Sequence, residues 1–181
     1  WAEEGVPPVR DGTVLYLHGG GFTVGSARTH AALAGWLARE SGLPVHVPDY
    51  RLAPEHPFPA APDDVMAAYL ALRAQGPVVV AGDSAGGGLA LVLAMQLRER
   101  GLPMPAALVL ISPAVDLREQ AVGPAPRGEA YITPAWLRAN VAAYAPGRED
   151  DPQVSPLLGD LRGLPPVLLQ SGTDDTLFAQ S

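Results

Sequence analysis

The sequence has 181 residues, a length typical of a single domain, and 48% of them are hydrophobic, which is enough for a buried core. It contains no cysteine, which excludes disulfides, thiolate nucleophiles and cysteine-ligated metals. All 12 basic residues are arginine, so a P-loop lysine and a Schiff-base lysine are excluded too. A net charge of −7 without a basic cluster argues against nucleic acid and anionic membranes as partners.

The two ends of the chain resemble interior sequence. It begins with Trp1, and residues 176–181 stop without a helix cap or a polar tail. There is no targeting signal and no apolar run long enough to span a membrane, so a cytoplasmic location is the leading expectation. We expect the chain to be part of a longer protein; nothing in the sequence indicates its oligomeric state.

Apolar runs alternate with helical patterns along the chain. Short, nearly continuous apolar runs predict strands at Val14–Leu17, Val45–Val47, Val78–Ala81, Leu108–Ile111 and Val167–Gln170. Helices are predicted at His30–Glu40, Asp63–Ala74, Ala85–Arg100 and Pro134–Tyr144, with Thr133 as an N-cap and Gly101 as a helix stop. Runs that are apolar on both faces are typical of parallel strands, so the expected fold is α/β, a doubly wound, mostly parallel sheet with helices on both faces.

One connection is much longer than the others. Residues 112–166 separate the last two predicted strands, whereas such connections usually have only a few residues. Long insertions at the strand ends of these sheets often form substrate pockets or lids, so residues 117–147 are predicted to be a cap or pocket insertion. A solvent-facing excursion is the alternative.

The segment Val78–Gly86 runs from a predicted buried strand through Gly-Asp-Ser-Ala-Gly into a predicted helix. A nucleophile elbow requires this arrangement, because the tight turn strains the backbone of Ser84 and leaves room only for small residues at positions 82 and 86. The helix N-terminus also favours negative charge near the serine oxygen. The alternative is a glycine-rich turn with a helix-capping serine.

A second glycine-rich loop follows the first predicted strand, in the sequence Leu15–Phe22. Consecutive glycines let the main chain approach a developing oxyanion, so the N–H groups of Gly20 and Gly21, with that of Ala85, are candidate oxyanion donors. His18 is predicted to orient this loop. A phosphate cradle is disfavoured, because Gly-x-Gly-x-x-Gly fits at no register and lysine is absent.

The motifs His18–Gly21, Asp49–Pro59 and Gly82–Gly86, with Asp151–Leu157 and Gly163–Pro166, resemble those of the hormone-sensitive-lipase-like family of α/β-hydrolases in order and spacing. The resemblance implies a serine carboxylesterase that acts on short to medium acyl esters through an acyl-enzyme. It also implies a small-molecule ester as the partner and no metal or other cofactor.

The resemblance also suggests the catalytic residues. It assigns Ser84 as nucleophile and Gly20, Gly21 and Ala85 as oxyanion donors. The catalytic acid of the family corresponds to Asp175, two residues before Leu177, with Asp174 as the less favoured choice. The alternative for either aspartate is a solvated turn acid that caps a helix starting at Thr176.

Other residues around these motifs are given supporting roles. Asp83 is predicted to be a structural hydrogen-bonding partner, and Arg51 is predicted to pair with Glu55 within the Tyr50–Pro59 loop. Phe22, Tyr131 and Trp136 are candidates for the wall of a substrate pocket.

The histidine base expected after the acid is missing. The four histidines are His18, His30, His46 and His56, all before Ser84, and a hydrolase without the base is nearly inert. We expect the complete protein to continue past Ser181 into a segment with this histidine. The alternative is a non-catalytic ligand-binding protein of the same fold, as gibberellin receptors resemble esterases. The chain alone is expected to be poorly soluble, because strand Val167–Gln170 is then an uncovered edge.

Overall fold

The computed structural model of the protein describes residues 11–121 and 132–178. Within these ranges the strands are β1 (Thr13–Leu17), β2 (Val45–His46), β3 (Val78–Asp83), β4 (Ala107–Ile111) and β5 (Val167–Gln170). The α-helices are α1 (Ala31–Ser41), α2 (Ala60–Arg73), α3 (Ala85–Glu99) and α4 (Pro134–Tyr144), and short 3-10 turns occupy Glu119–Ala121 and Pro156–Leu158.

The strands form one parallel five-stranded sheet in the order β2-β1-β3-β4-β5. Along the central pairs, Leu17 of β1 lies opposite Gly82 of β3, and Asp83 lies opposite Ile111 of β4. Because all strands run in one direction, the loops after β1, β3, β4 and β5 meet at one edge of the sheet. The predicted α/β class is confirmed, and this edge holds both glycine-rich motifs.

Helices cover both faces of the sheet. On one face, alternate strand residues such as Leu15 and Val80 pack with α2 and α3 in the main hydrophobic core. On the other face, Val14 and Tyr16 of β1 pack against Leu37 of α1. The alternation follows from the two-residue period of a strand, which turns neighbouring side chains to opposite faces.

Helix α3 lies at the centre of the main core. Every residue from Ala85 to Leu97 is buried, which a helix requires when it packs against other elements on all sides. Its amino-terminal glycines allow close contact, since a Cβ on Gly87 would come within 2.7 Å of Pro113. The helix ends at Glu99, one residue before the predicted Arg100, and Gly101 follows in the left-handed conformation at φ +62°.

The structure also corrects several other local predictions. Strand β2 is one residue shorter than predicted, and α2 begins at Ala60 rather than Asp63. The predicted pair between Arg51 and Glu55 is wrong: the Arg51 guanidinium binds Asp64 of α2, with Nη2 2.8 Å from Oδ1. The Arg51 N–H donates to the same carboxylate, so the loop is fixed to α2 rather than to itself.

Strand β5 is the last strand of the described sheet, as predicted. Val167, Leu168 and Leu169 keep 45–56% of their surface exposed, so both faces of β5 contact solvent in the described part of the chain. Across residues 11–121 and 132–178, no helix has the length and apolar character needed to cross a membrane.

Candidate active site

Ser84 occupies the sharp turn between β3 and α3. Its backbone has φ +51° and ψ −120°, a strained conformation for a residue with a side chain. The end of β4 and the segment after it hold this backbone on both sides: the Ser84 N–H donates to the carbonyl of Ile111 in β4 (2.9 Å), and the Ser84 carbonyl accepts from the Ala114 N–H (2.9 Å). The elbow geometry predicted from the sequence is therefore present and fixed by β4.

The two flanking glycines are required by close backbone contacts. A Cβ on Gly82 would lie 2.5 Å from the carbonyl of Gly86. A Cβ on Gly86 would collide with the Leu17 carbonyl oxygen and lie 2.8 Å from the His18 oxygen. Both distances are shorter than real Cβ contacts, so α3 can approach β1 and β3 only because these positions are glycine.

The side chain of Ser84 does not cap α3. No cap hydrogen bond from its hydroxyl to the helix is present, and none joins it to any other described residue. The alternative of a helix-capping serine is therefore wrong. Ser84 is half-buried, and its hydroxyl has no hydrogen-bond partner among the described residues that would compete with a substrate, as a nucleophile requires.

The glycine loop has three successive residues with positive φ: Gly20 at +121°, Gly21 at +60° and Phe22 at +64°. The turn is closed by the N–H groups of Thr23 and Val24, which both donate to the Gly20 carbonyl. A side chain on Gly20 would collide with the Val24 carbonyl, so the turn requires glycine there. Successive residues of this kind aim neighbouring N–H groups towards one point.

The N–H groups of Gly20, Gly21 and Ala85 donate to no acceptor among the described residues. Ala85 is fully buried and its N–H belongs to the first turn of α3, where no acceptor exists within the helix. Buried N–H groups without partners are rare, and groups of them are typical of anion sites. These are the donors that the sequence predicts for an oxyanion.

His18 lies beneath the glycine loop, 1% exposed. Its ring stacks on Tyr50 at 4.2 Å, and its Nδ1–H donates to the Gly19 carbonyl at 2.8 Å, while the Tyr50 hydroxyl donates to the His18 carbonyl. Burial lowers the pKa of His18 below its ordinary value, so the ring is neutral at pH 7. These contacts join His18 to the glycine loop and to Tyr50, and its loop-orienting role stays a prediction.

Asp175 lies in the turn after β5. Its Oδ1 accepts from the Leu177 N–H at 2.8 Å, and its own N–H donates to the Gly172 carbonyl. Asp175 is half-buried, whereas Asp174 is exposed. Thr176 and Leu177 form a turn, and Phe178 is 3-10 helical, so the Asp175 carboxylate caps this turn at its start. The carboxylate thus has a fixed position, and its role as catalytic acid stays a prediction.

Helix α4 packs over the glycine loop. The Trp136 ring lies so close to Gly21 that a Cβ there would be 2.8 Å away, and 37% of Trp136 stays exposed. Phe22 is buried and stacks on Tyr144 at 3.9 Å, so it supports the loop from inside the core. The pocket roles of Trp136 and Phe22 stay predictions, and Tyr131 lies outside the described residues.

Three hydrogen bonds at this edge join partners that were not predicted. The Thr23 hydroxyl donates to the Asn140 side chain, which joins the glycine loop to α4. Asp83 accepts hydrogen bonds from the Tyr16 hydroxyl (2.8 Å) and the Gly19 N–H (2.9 Å), which confirms its predicted structural role and names its partners. No signal in the sequence connects the partners of these hydrogen bonds, because they are far apart along the chain.

Known proteins are similar to this chain in sequence and in fold. A family model for the alpha/beta hydrolase fold matches residues 14–181. The putative acetyl-hydrolase LipR of Mycobacterium tuberculosis is 44% identical over 174 residues, which cover 92% of this chain and 56% of that protein. An acetyl-hydrolase of Streptomyces hygroscopicus is 44% identical over 183 residues, 96% of this chain and 61% of that protein.

A solved structure shows the same agreement. The crystal structure of an esterase from the bacterial hormone-sensitive lipase family has a TM-score of 0.88 and 41% identity, covering 96% of this chain and 61% of that one. The chain thus spans about three fifths of the length of the relatives it matches. On sequence and on structure alike, it belongs to the alpha/beta hydrolase fold family.

Proposed function

We propose that the complete protein is a serine carboxylesterase that hydrolyses short to medium acyl esters. The observation that supports this most directly is the group of three N–H donors without acceptors, Gly20, Gly21 and Ala85, beside the uncapped Ser84 hydroxyl. An acyl-transfer site needs a free nucleophile next to preorganised donors for the oxyanion. The relatives named above are called acetyl-hydrolases and an esterase.

In the proposed reaction, the Ser84 hydroxyl attacks the ester carbonyl and gives its proton to a histidine base. The N–H donors stabilise the oxyanion, the alcohol leaves with a proton, and water then releases the acid from the acyl-enzyme. Asp175 orients the base. None of the four histidines follows Asp175 in this chain, so we assign the base to a part of the complete protein outside these residues.

We propose residues 117–147 as a cap over this site. In the described part, α4 bears the exposed Trp136 over the glycine loop, and Asn140 holds the helix there through Thr23. We infer that the Trp136 ring, which lies against Gly21, narrows the space for an acyl group above the oxyanion donors. This supports short or medium esters over long-chain triglycerides as substrates.

The test is hydrolysis of p-nitrophenyl acetate and p-nitrophenyl butyrate by the complete protein. Ser84→Ala is expected to lower kcat by a factor on the order of 10⁴ to 10⁶, because the nucleophile is removed. Ser41→Ala is the matched control, since Ser41 ends α1 away from this edge and its hydroxyl donates to the Leu37 carbonyl. Equal activity in both variants contradicts the assignment. Absence of hydrolysis by the unmodified protein favours the non-catalytic, ligand-binding alternative.

A further inference from the structure

Asp83 belongs to the Gly82–Gly86 motif, and its carboxylate contacts the glycine loop after β1. One of its carboxylate oxygens, Oδ1, accepts from the Gly19 N–H at 2.9 Å and from the Tyr16 hydroxyl at 2.8 Å. The same oxygen lies 3.4 Å from His30 Nε2. A Cβ on Gly19 would collide with the other oxygen, so the loop backbone lies directly against the carboxylate.

The position of these contacts along the chain matters for the site. Asp83 directly precedes the nucleophile Ser84, and Gly19 directly precedes the oxyanion donors Gly20 and Gly21. One hydrogen bond therefore connects the residue before the nucleophile to the residue before the donors. The sheet alone does not set this distance, because the pairing of β1 with β3 ends at Leu17 and Gly82.

We propose that Asp83 is a positioning residue, whose carboxylate holds the oxyanion donors of the glycine loop at the correct distance and orientation from Ser84. The inference rests on the proposed function and deepens it. A displacement of such donors by about 1 Å from the oxyanion can lower the rate by about a hundredfold. The expected consequence is on kcat, since the donors act on the transition state rather than on the bound ester.

The surroundings keep this hydrogen bond in place. The groups that face Asp83 are the hydroxyl of Tyr16 on β1, the rings of His18 and His30, and the buried Tyr50 hydroxyl beyond them. Burial and the charge of Asp83 raise the pKa of Tyr16 far above its ordinary value. The phenol therefore keeps its proton at neutral pH and donates it in the hydrogen bond to Asp83. A hydrogen bond to a charged carboxylate is also stronger than a neutral one.

The experiment compares Asp83→Ala with Asp83→Asn in the complete protein. The Asn side chain retains Oδ1, which can accept both hydrogen bonds, whereas Ala accepts none. We expect Asp83→Ala to lower kcat for p-nitrophenyl butyrate by about a hundredfold with KM within about threefold, and Asp83→Asn to stay within about fivefold of the unmodified protein. Asp63→Ala, an exposed aspartate in the first turn of α2, is the matched control.

Two outcomes overturn the inference: an unchanged kcat in Asp83→Ala, or an equal loss in the Ala and Asn variants. If Asp83→Ala fails to fold, Asp83→Asn and Tyr16→Phe decide, because each leaves the Gly19 hydrogen bond in place. A loss of kcat above about tenfold in either one then refutes the positioning role.

A second readout does not depend on catalysis. Hydrogen exchange of the Gly19 amide, which donates to Asp83, is expected to be more than about tenfold faster in Asp83→Ala and unchanged in Asp83→Asn. Equal protection in Asp83→Ala and the unmodified protein overturns the inference even if no ester is hydrolysed. Absence of Ser84-dependent hydrolysis with the expected exchange pattern refutes the proposed function instead.

Discussion

Replacing Gly86 by Ala tests whether α3 approaches β1 as closely as the site requires. The new Cβ would collide with the Leu17 carbonyl oxygen and lie 2.5 Å from its carbon, where ordinary contacts begin near 3.4 Å. The helix or the strand must therefore shift by about 1 Å, although β1 is hydrogen-bonded to strands on both sides.

Gly86→Ala changes the free energy of unfolding in two opposing ways, through overpacking and through helix propensity. Overpacking of a core by one carbon costs about 1–3 kcal/mol, and the collision here is with rigid backbone, so the upper end applies. Alanine in a helix is about 1 kcal/mol better than glycine. The net expectation is a loss of about 2 kcal/mol, which lowers Tm by about 4–8 °C for a chain of this size.

Gly35→Ala is the matched control. Gly35 lies inside α1 and no described atom is within 4 Å of the position that its Cβ would take, so only the helix propensity acts. We expect Tm to rise by about 2–4 °C. Both Tm values are measured by thermal unfolding monitored by circular dichroism. A Gly86→Ala variant that melts at or above the unmodified protein refutes the close approach.

Three further predictions concern other parts of the site. Burial lowers the pKa of His18 in the folded state, so the unfolded chain binds a proton on this ring more tightly than the folded chain does. The free energy of unfolding therefore falls as the pH drops from about 6.5 towards the folded-state pKa, by up to about 1.4 kcal/mol per pH unit. Urea unfolding between pH 5 and 8 is expected to show a smaller slope in His18→Asn, and an unchanged slope contradicts the assignment. Trp136→Ala is expected to raise the kcat/KM of p-nitrophenyl octanoate relative to that of the butyrate by about tenfold. Trp36→Ala, which replaces an exposed tryptophan on α1, is expected to leave this ratio unchanged. Equal ratios in the two variants contradict a place for Trp136 in the pocket wall. Since Asp64 rather than Glu55 binds Arg51, a double-mutant cycle by thermal unfolding is expected to show coupling for Arg51 with Asp64 and none with Glu55.

Much of the fold was predictable because each strand and helix has a local signal. The strands of a doubly covered parallel sheet are uninterrupted apolar runs, and β3 with α3 surrounds Gly82–Gly86 just as an elbow needs. The cap of α4 was equally local, since the Trp136 N–H donates to the Thr133 hydroxyl oxygen. Ser84 and the glycine loop follow from these elements.

The incorrect and missed contacts are those made between distant parts of the chain. The pair of Arg51 with Glu55 was inferred from closeness in sequence, but the start of α2 brings Asp64 nearer. The Asp83 carboxylate accepts hydrogen bonds from Tyr16 and Gly19 only because β1 and β3 are neighbours in the sheet. Which strands become neighbours depends on the topology of the whole sheet, so the sequence around Asp83 does not indicate these two partners.

The central claim is that Ser84 is the nucleophile of an acyl-transfer site, and covalent labelling of the complete protein tests it most directly. After treatment with diethyl p-nitrophenyl phosphate, trypsin cleavage at Arg73 and Arg98 releases residues 74–98, in which Ser84 is the one hydroxyl side chain. We predict that mass spectrometry finds one diethylphosphoryl group on this peptide, with loss of ester hydrolysis in proportion. Labelling of a different peptide, or full hydrolysis after complete labelling of residues 74–98, would contradict the account.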